Sequence, residues 1–262
     1  MLFVSRKAVT TSLLIGLCIL GVGLLQFPRL QKLVKNNQTA SIETLEREVN
    51  SEKNRLNLLQ KLPAFGYNNL IANWVYLSFL QYFGDDEVRE KTGYRLSPEY
   101  FEVILENDPR FITAYLGLST STSMYAAMPE RSIELMEKGL QSLSPWIPEN
   151  SYYVWRYKGI DELLFLGDGR AAQQSFATAA EWANNHTDEE SKQVALISQA
   201  TSKFLIRNPD SKHAQIATWA MVLNNKVDRK TRKRAITAIE ALGGKVIANP
   251  DGTNQIKLPP KD

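Results

Sequence analysis

Three adjacent acid pairs, Asp85-Asp86, Asp161-Glu162 and Glu189-Glu190, are the side chains best suited by type to general acid and base chemistry. Such chemistry needs two carboxylates that converge on one substrate bond. Sequence neighbours on a helix point about 100° apart, so these pairs read as helix caps or as groups on different faces. Gly167-Asp168-Gly169-Arg170 is glycine-containing, but it lacks the preceding strand and the Lys-Ser/Thr that a phosphate-binding loop uses, and it reads as a turn between two helices. His186 and His213 stand apart from any ligand set at metal spacing and read as solvated. The single cysteine, Cys18, excludes a disulfide framework and a thiolate-rich zinc site, and two histidines are too few for an imidazole metal cluster. No catalytic residue, cofactor or metal is therefore expected.

The elements that would position any site begin with an apolar segment. Ala8 to Phe27 is 20 residues without a charge, and at about 1.5 Å per residue a helix of that length matches a hydrocarbon core of roughly 30 Å. The sequence predicts a transmembrane anchor with its flanks over residues 1–35. The stretch runs into Gln26-Phe27-Pro28-Arg29 without an Ala-x-Ala pattern, which argues against a cleaved signal peptide. Arg6 and Lys7 on one flank nearly balance Arg29, Lys32 and Lys35 on the other. A short basic start favours a cytoplasmic N-terminus and a domain in the periplasm or thylakoid lumen; the alternative is a cytoplasm-facing domain held by the three later cations.

The 262 residues are 44% hydrophobic and 23% charged, a composition of folded protein. The net charge of +3 is concentrated at the start. Removing the five Lys/Arg of residues 1–35 from the total of 31 leaves 26 against 28 Asp/Glu, or −2. That balance excludes a nucleic-acid polyanion as partner.

Residues 36–62 are expected to form an amphipathic connecting helix, with Ile42, Leu45, Val49, Leu56 and Leu59 at a/d spacing and Glu52 at the one polar seam position. Fewer than three heptads favours packing on its own domain, with homodimerisation through the helix 39–60 as the alternative. From Phe65 onward helical spacing recurs between breakers at Gly84-Asp85, Ser97-Pro98, Asn107-Asp108-Pro109, Pro129, Ser144-Pro145, Gly167-Asp168 and Asn208-Pro209. The fold class read from this is all-α. Ser97 ahead of Pro98-Glu99 and Thr187 ahead of the next acidic turn are expected N-caps. Residues 186–244 read as capping helices stopped by Gly243-Gly244, and residues 245–262 as a short hairpin or loose tail.

Residues 63–185 also repeat with a period of about 35. Trp74, Tyr76 and Leu77 lead to Gly84-Asp85; Ala114, Tyr115 and Gly117 open a second unit; Tyr153, Trp155, Gly159 and Leu163 lead to Gly167-Asp168, then Ala172, Phe176, Ala179 and Ala180. This pattern resembles the tetratricopeptide repeat family. The resemblance implies helix pairs stacked into a right-handed α-α superhelix, in which small residues at Gly159, Ala172 and Ala179 bring two helices close and Phe176 and Leu163 fill the gap. Residues 86–96 are an insertion in that pattern, and the second unit lacks the Gly-Asp turn. A narrower likeness, in Phe65-Gly66-Tyr67-Asn68-Asn69-Leu70-Ile71-Ala72-Asn73-Trp74, Leu80-Gln81-Tyr82-Phe83-Gly84-Asp85 and Asp108-Pro109-Arg110-Phe111, is to membrane-anchored repeat proteins of bacteria, cyanobacteria included. That likeness assigns no activity.

Repeat proteins of this kind present first-helix side chains on a concave face. On that basis Asn69, Asn73, Tyr76, Tyr115, Ser119, Tyr152, Arg156 and Lys158 are the candidate contacts for a protein or peptide, while most other aromatics belong to the core. The run Lys226, Arg229, Lys230, Arg232, Lys233 and Arg234 places six cations in nine residues. It reads as an exposed final helix or as a patch for anionic lipid or an acidic partner. The expected function is a non-enzymatic, membrane-anchored scaffold that assists assembly or positioning of a membrane complex, photosynthetic if the cyanobacterial likeness holds. A stoichiometric structural subunit and a groove enzyme acting on glycans are the alternatives.

Overall fold

The described helices pack mostly against their near neighbours in sequence. The computed structural model describes residues 15–17, 20–27, 41–224, 229–248 and 254–260. Residues 15–17 and 20–27 (α1) are helical and leave Leu24, Leu25 and Phe27 exposed. The rest of the Ala8 to Phe27 segment lies outside the described residues. Among the described residues no helix is long and apolar enough to cross a membrane.

Helix α2 (Ile42–Lys61) starts where Ser41 accepts a hydrogen bond from the Thr44 amide and ends before Pro63. Of its expected seam, Leu45, Val49 and Leu56 are buried within the chain, against α4 (Asp86–Thr92) and α5 (Ser97–Asn107), while Leu59 is partly buried and Ile42 is exposed. Glu52, the polar seam position, accepts the Tyr100 hydroxyl at 2.6 Å and a two-bond grip from Arg55 at 2.8 and 2.6 Å. These bonds satisfy a half-buried carboxylate that would otherwise be costly in the seam. Ion pairs from Arg95 to Glu46 and Lys53 to Glu99 hold the same interface at its rim.

Helix α3 (Asn68–Gly84) packs on α5, with the Phe79 ring 4.5 Å edge-on to Phe101 and 5.9 Å from Tyr100. Helix α6 (Ile112–Leu118) runs directly into a π-helical turn, Ser119–Tyr125, before α7 (Pro129–Leu140). Phe101, Ile104, Tyr115, Leu118 and Met136 are completely buried where these helices meet. Each such side chain contributes about 1.5–3 kcal/mol from apolar burial. Gly139 permits the contact between α6 and α7, because a Cβ there would lie 1.9 Å from the Tyr115 hydroxyl.

Helix α8 (Tyr152–Asp161) also ends in a π-helical turn, Glu162–Leu166, and stops at left-handed Gly167. Asp168 then caps α9 (Gly169–Ala183) by accepting from the Arg170 and Ala171 amides. Gly159 lets α8 and α9 close together: a Cβ there would stand 3.2 Å from the Phe176 ring. Helix α10 (Glu189–Arg207) packs along α9. Its cap is Asp188, which accepts from the Ser191 amide at 2.8 Å, rather than Thr187. Ser97 likewise is the first residue of α5 rather than its cap, its hydroxyl buried, and with Pro98 in the first turn that helix starts without a side-chain cap.

Helices α11 (Lys212–Asn224) and α12 (Arg229–Ala241) form the last pair. Their core of Ile216, Trp219, Leu223, Ala235 and Ile239 is reached by Leu164 and Phe165 from the π turn after α8. The Phe165 and Trp219 rings meet edge to face at 5.4 Å. Strands β1 (Lys245–Ala248) and β2 (Asn254–Lys257) pair antiparallel, Lys245 opposite Lys257, as a small hairpin on this pair. The fold is all-α with that one addition.

Candidate functional site

Helix α3 is apolar on two faces. Ala72, Val75, Phe79 and Tyr82 turn into the core, at the i, i+3, i+7 and i+10 positions of one helical face. Leu70, Trp74 and Leu77 repeat the same spacing on the outside, 64%, 64% and 57% exposed. Phe65 and Tyr67 extend the strip into the turn before α3, and Leu58 and Leu62 into the end of α2. All 22 residues from Pro63 to Gly84 lack charge. An exposed apolar strip of this kind is unusual on a protein surface.

Two expected contacts, Asn69 and Asn73, stand exposed on this outer side of α3. Tyr76 is half-buried and turned toward the core, its ring 4.8 Å from Phe111. Arg156 is partly buried and donates to Ser198 at 2.9 Å, and burial pushes its pKa down. The other four expected contacts are interior. Tyr115 is fully buried and donates to the Pro109 carbonyl at 2.7 Å. Tyr152 is fully buried, donates to Asn150 and meets the His186 ring at 5.7 Å. Ser119 donates to Asp161, and Lys158 is bound to Glu162. A first-helix position in a pair faces outward only where the next pair leaves it uncovered, and α7 to α10 cover these four.

Of the three acid pairs, Asp161-Glu162 is the one held in the interior. Asp161 is wholly buried and accepts from Ser119 at 2.6 Å, Ser123 at 2.5 Å and Ser132 at 2.9 Å. Burial raises its pKa to about 6; the three serine bonds pull downward and the neighbouring Glu162 pushes upward. Glu162 accepts from Lys158 at 2.5 Å and from Ser175 at 2.6 Å, and Lys158 also lies 3.3 Å from Glu137. The two acids thus serve separate partner sets, and neither surfaces where a substrate bond could lie between them.

His186 bonds the Pro145 carbonyl at 2.7 Å, and His213 bonds the Pro259 carbonyl at 2.9 Å. Both are partly buried loop ties rather than solvated residues. The basic run divides as well. Lys226 lies outside the described residues, while Arg229 and Lys230 fall in the first turn of α12. Arg232 donates to Asn254 on the hairpin at 2.9 Å, Lys233 is exposed, and Arg234 turns inward to lie 5.4 Å over the Phe165 ring.

Trp74 falls among the aromatics expected in the core, and the structure instead leaves it exposed with Leu70 and Leu77. The one available signal was the absence of charge from Pro63 to Gly84. Comparison with family models, with characterised proteins and with solved structures yields no match.

Proposed function

We propose that this chain is a membrane-anchored helical-repeat scaffold that performs no covalent chemistry and binds a protein partner through the outer face of α3. The carrying observation is the charge-free apolar strip of Leu70, Trp74 and Leu77, with Asn69 and Asn73 beside it to fix orientation by hydrogen bonds. An exposed Trp flanked by leucines is the kind of anchor that dominates an interface when a partner dries it.

In this reading residues 8–27 form the anchor, the helix pairs belong to a tetratricopeptide-like right-handed superhelix, and the domain stands in the periplasm or thylakoid lumen. Holding the domain at the membrane confines the search to two dimensions and raises the effective concentration of membrane partners, so modest contacts suffice. Assistance in assembling or positioning a membrane complex fits such a surface, with a photosynthetic complex the instance suggested by the resemblance to cyanobacterial repeat proteins.

A photo-crosslinking residue at position 74, in the full chain in native membranes, tests this. The expected result is one discrete adduct with a subunit of a membrane complex, absent when the crosslinker sits at the exposed Lys192 of α10 instead. Equal yields at the two positions, or adducts with lipid alone, overturn it. A stable one-to-one ratio through purification would make the chain a structural subunit instead of an assembly factor.

A further inference from the structure

The insertion at residues 86–96 and the π turn after α6 meet α12 at one cleft of about 350 Å³. Arg89 and Glu90 come from α4, part of the insertion at residues 86–96; Tyr94 follows it; Met124 and Tyr125 come from the π turn after α6; Arg234 comes from α12. The volume falls at the lower end of small-ligand sites, which run from about 300 to 1,000 Å³.

Arg89 is 6% exposed. Its guanidinium lies 4.0 Å over the Tyr82 ring, and one nitrogen donates to the Gly93 carbonyl at 3.3 Å. Its Nε is buried and finds no acceptor, and among the described residues it forms no ion pair. A guanidinium carries five N–H donors, and leaving them unmet in a buried place costs free energy. Arg234 repeats the arrangement, lying 5.4 Å over Phe165 with no carboxylate paired to it among the described residues. Burial pushes its pKa down. Both arginines thus rest on an aromatic face, and among the described residues neither has an ion-pair partner. The wall between them is aromatic: Tyr94 and Tyr125 meet edge to face at 4.8 Å, and Phe83 backs both at 5.2 and 5.0 Å. Glu90 contributes the opposing charge at the rim, leaving an excess of one positive charge among these lining residues.

We infer that this cleft binds a phosphate monoester, its phosphate held between Arg89 and Arg234 and its organic body laid against Tyr94, Tyr125 and Met124. Two guanidiniums arriving from separate elements suit an anion with three terminal oxygens and nearly two charges better than a planar carboxylate. Glu90 limits affinity by like-charge repulsion at the same rim.

The test uses the full chain in detergent micelles, titrated calorimetrically with phenyl phosphate. Saturable binding is expected, weakened at least tenfold in Arg234→Gln and in Arg89→Met, and tightened several-fold in Glu90→Gln. Arg234→Gln and Glu90→Gln change partly exposed groups, so the proposal stays open to refutation where Arg89→Met fails to fold. Vesicles identify the source of the phosphate. Retention on phosphatidic acid vesicles but not phosphatidylcholine vesicles, lost in Arg234→Gln, assigns a lipid headgroup; phenyl phosphate binding without that retention assigns a soluble ester. The proposal is overturned by absence of binding to both probes, or by binding that Arg234→Gln and Glu90→Gln leave unchanged.

Discussion

The Ser123 hydroxyl donates to Asp161 across 2.5 Å, joining the π turn that extends α6 to the last residue of α8, just before that helix opens into a π turn of its own. With Ser119 and Ser132 it supplies three donors to a carboxylate that no solvent reaches and that, among the described residues, no cation pairs. Both irregular turns are therefore tied to one buried acid, and π turns in general cost regular hydrogen bonding that tertiary contacts must offset.

The first consequence is a pH dependence of stability. The folded-state pKa of Asp161 is raised from 3.8 to about 6, so between those values the folded chain holds a proton that the unfolded chain does not. Stability from this group is fully present below 3.8 and is lost as pH rises through about 6. Denaturant unfolding of the full chain should show the unfolding free energy rising as pH falls from 8 toward 5, by at most roughly 1.5 kcal/mol. Glu52, whose pKa is lowered, acts in the opposite sense at more acid pH. Asp161→Asn removes the titration and should flatten the slope; an unchanged slope would refute the assignment.

A related expectation separates the donors from the acid. Ser123→Ala leaves the ionised carboxylate short of one hydrogen bond, a loss of about 1–3 kcal/mol. The penalty should be larger at pH 8 than at pH 5, because the protonated acid needs fewer donors. Chemical denaturation at the two pH values measures it directly, and equal penalties would mean that Ser123 contributes through packing alone.

The α6–α7 contact makes a steric prediction. A Cβ at Gly139 would fall 1.9 Å from the Tyr115 hydroxyl and 2.7 Å from the ring carbon that bears it. Gly139→Ala should cost about 1–3 kcal/mol as an overpacked site. Adding Tyr115→Phe removes the clashing oxygen and should restore part of the loss, although Tyr115→Phe alone forfeits the bond to the Pro109 carbonyl. Thermal unfolding of the three variants forms the cycle; strictly additive losses would show that α7 moves aside instead.

Local signals were the most legible part of the sequence. Gly167-Asp168 reads as a turn between two helices, and there Gly167 is left-handed and Asp168 caps α9, because turn chemistry depends on a few adjacent residues. The seam of α2 was legible for the same reason: Leu45, Val49 and Leu56 stand out against a charged background. Burial of Lys158 was not legible, since its i, i+4 pairing with Glu162 looks the same on a surface. The π turns were also silent. Each adds a residue to a turn and shifts the helical phase of the residues after it, which sends Leu164 and Phe165 toward α11. Arg89 and Arg234 stand 145 positions apart, and only the tertiary fold brings them to one cleft.

Trp74 and Phe79 lie on one uncharged helix and face opposite ways, 64% and 2% exposed. Phe79→Ala should cost about 3–5 kcal/mol, because it empties the contact with Tyr100 and Phe101. Trp74→Glu removes no such contact and should shift stability by no more than about 0.5 kcal/mol. Its effect should instead be on association: a charge set into the middle of the Leu70–Trp74–Leu77 strip would have to be desolvated by any partner seated there. Native gel migration of solubilised membranes separates the two outcomes. Trp74→Glu is expected to release a folded chain from its complex with an unchanged melting temperature, whereas a variant that comigrates as wild type does would show that α3 keeps this face free of partners.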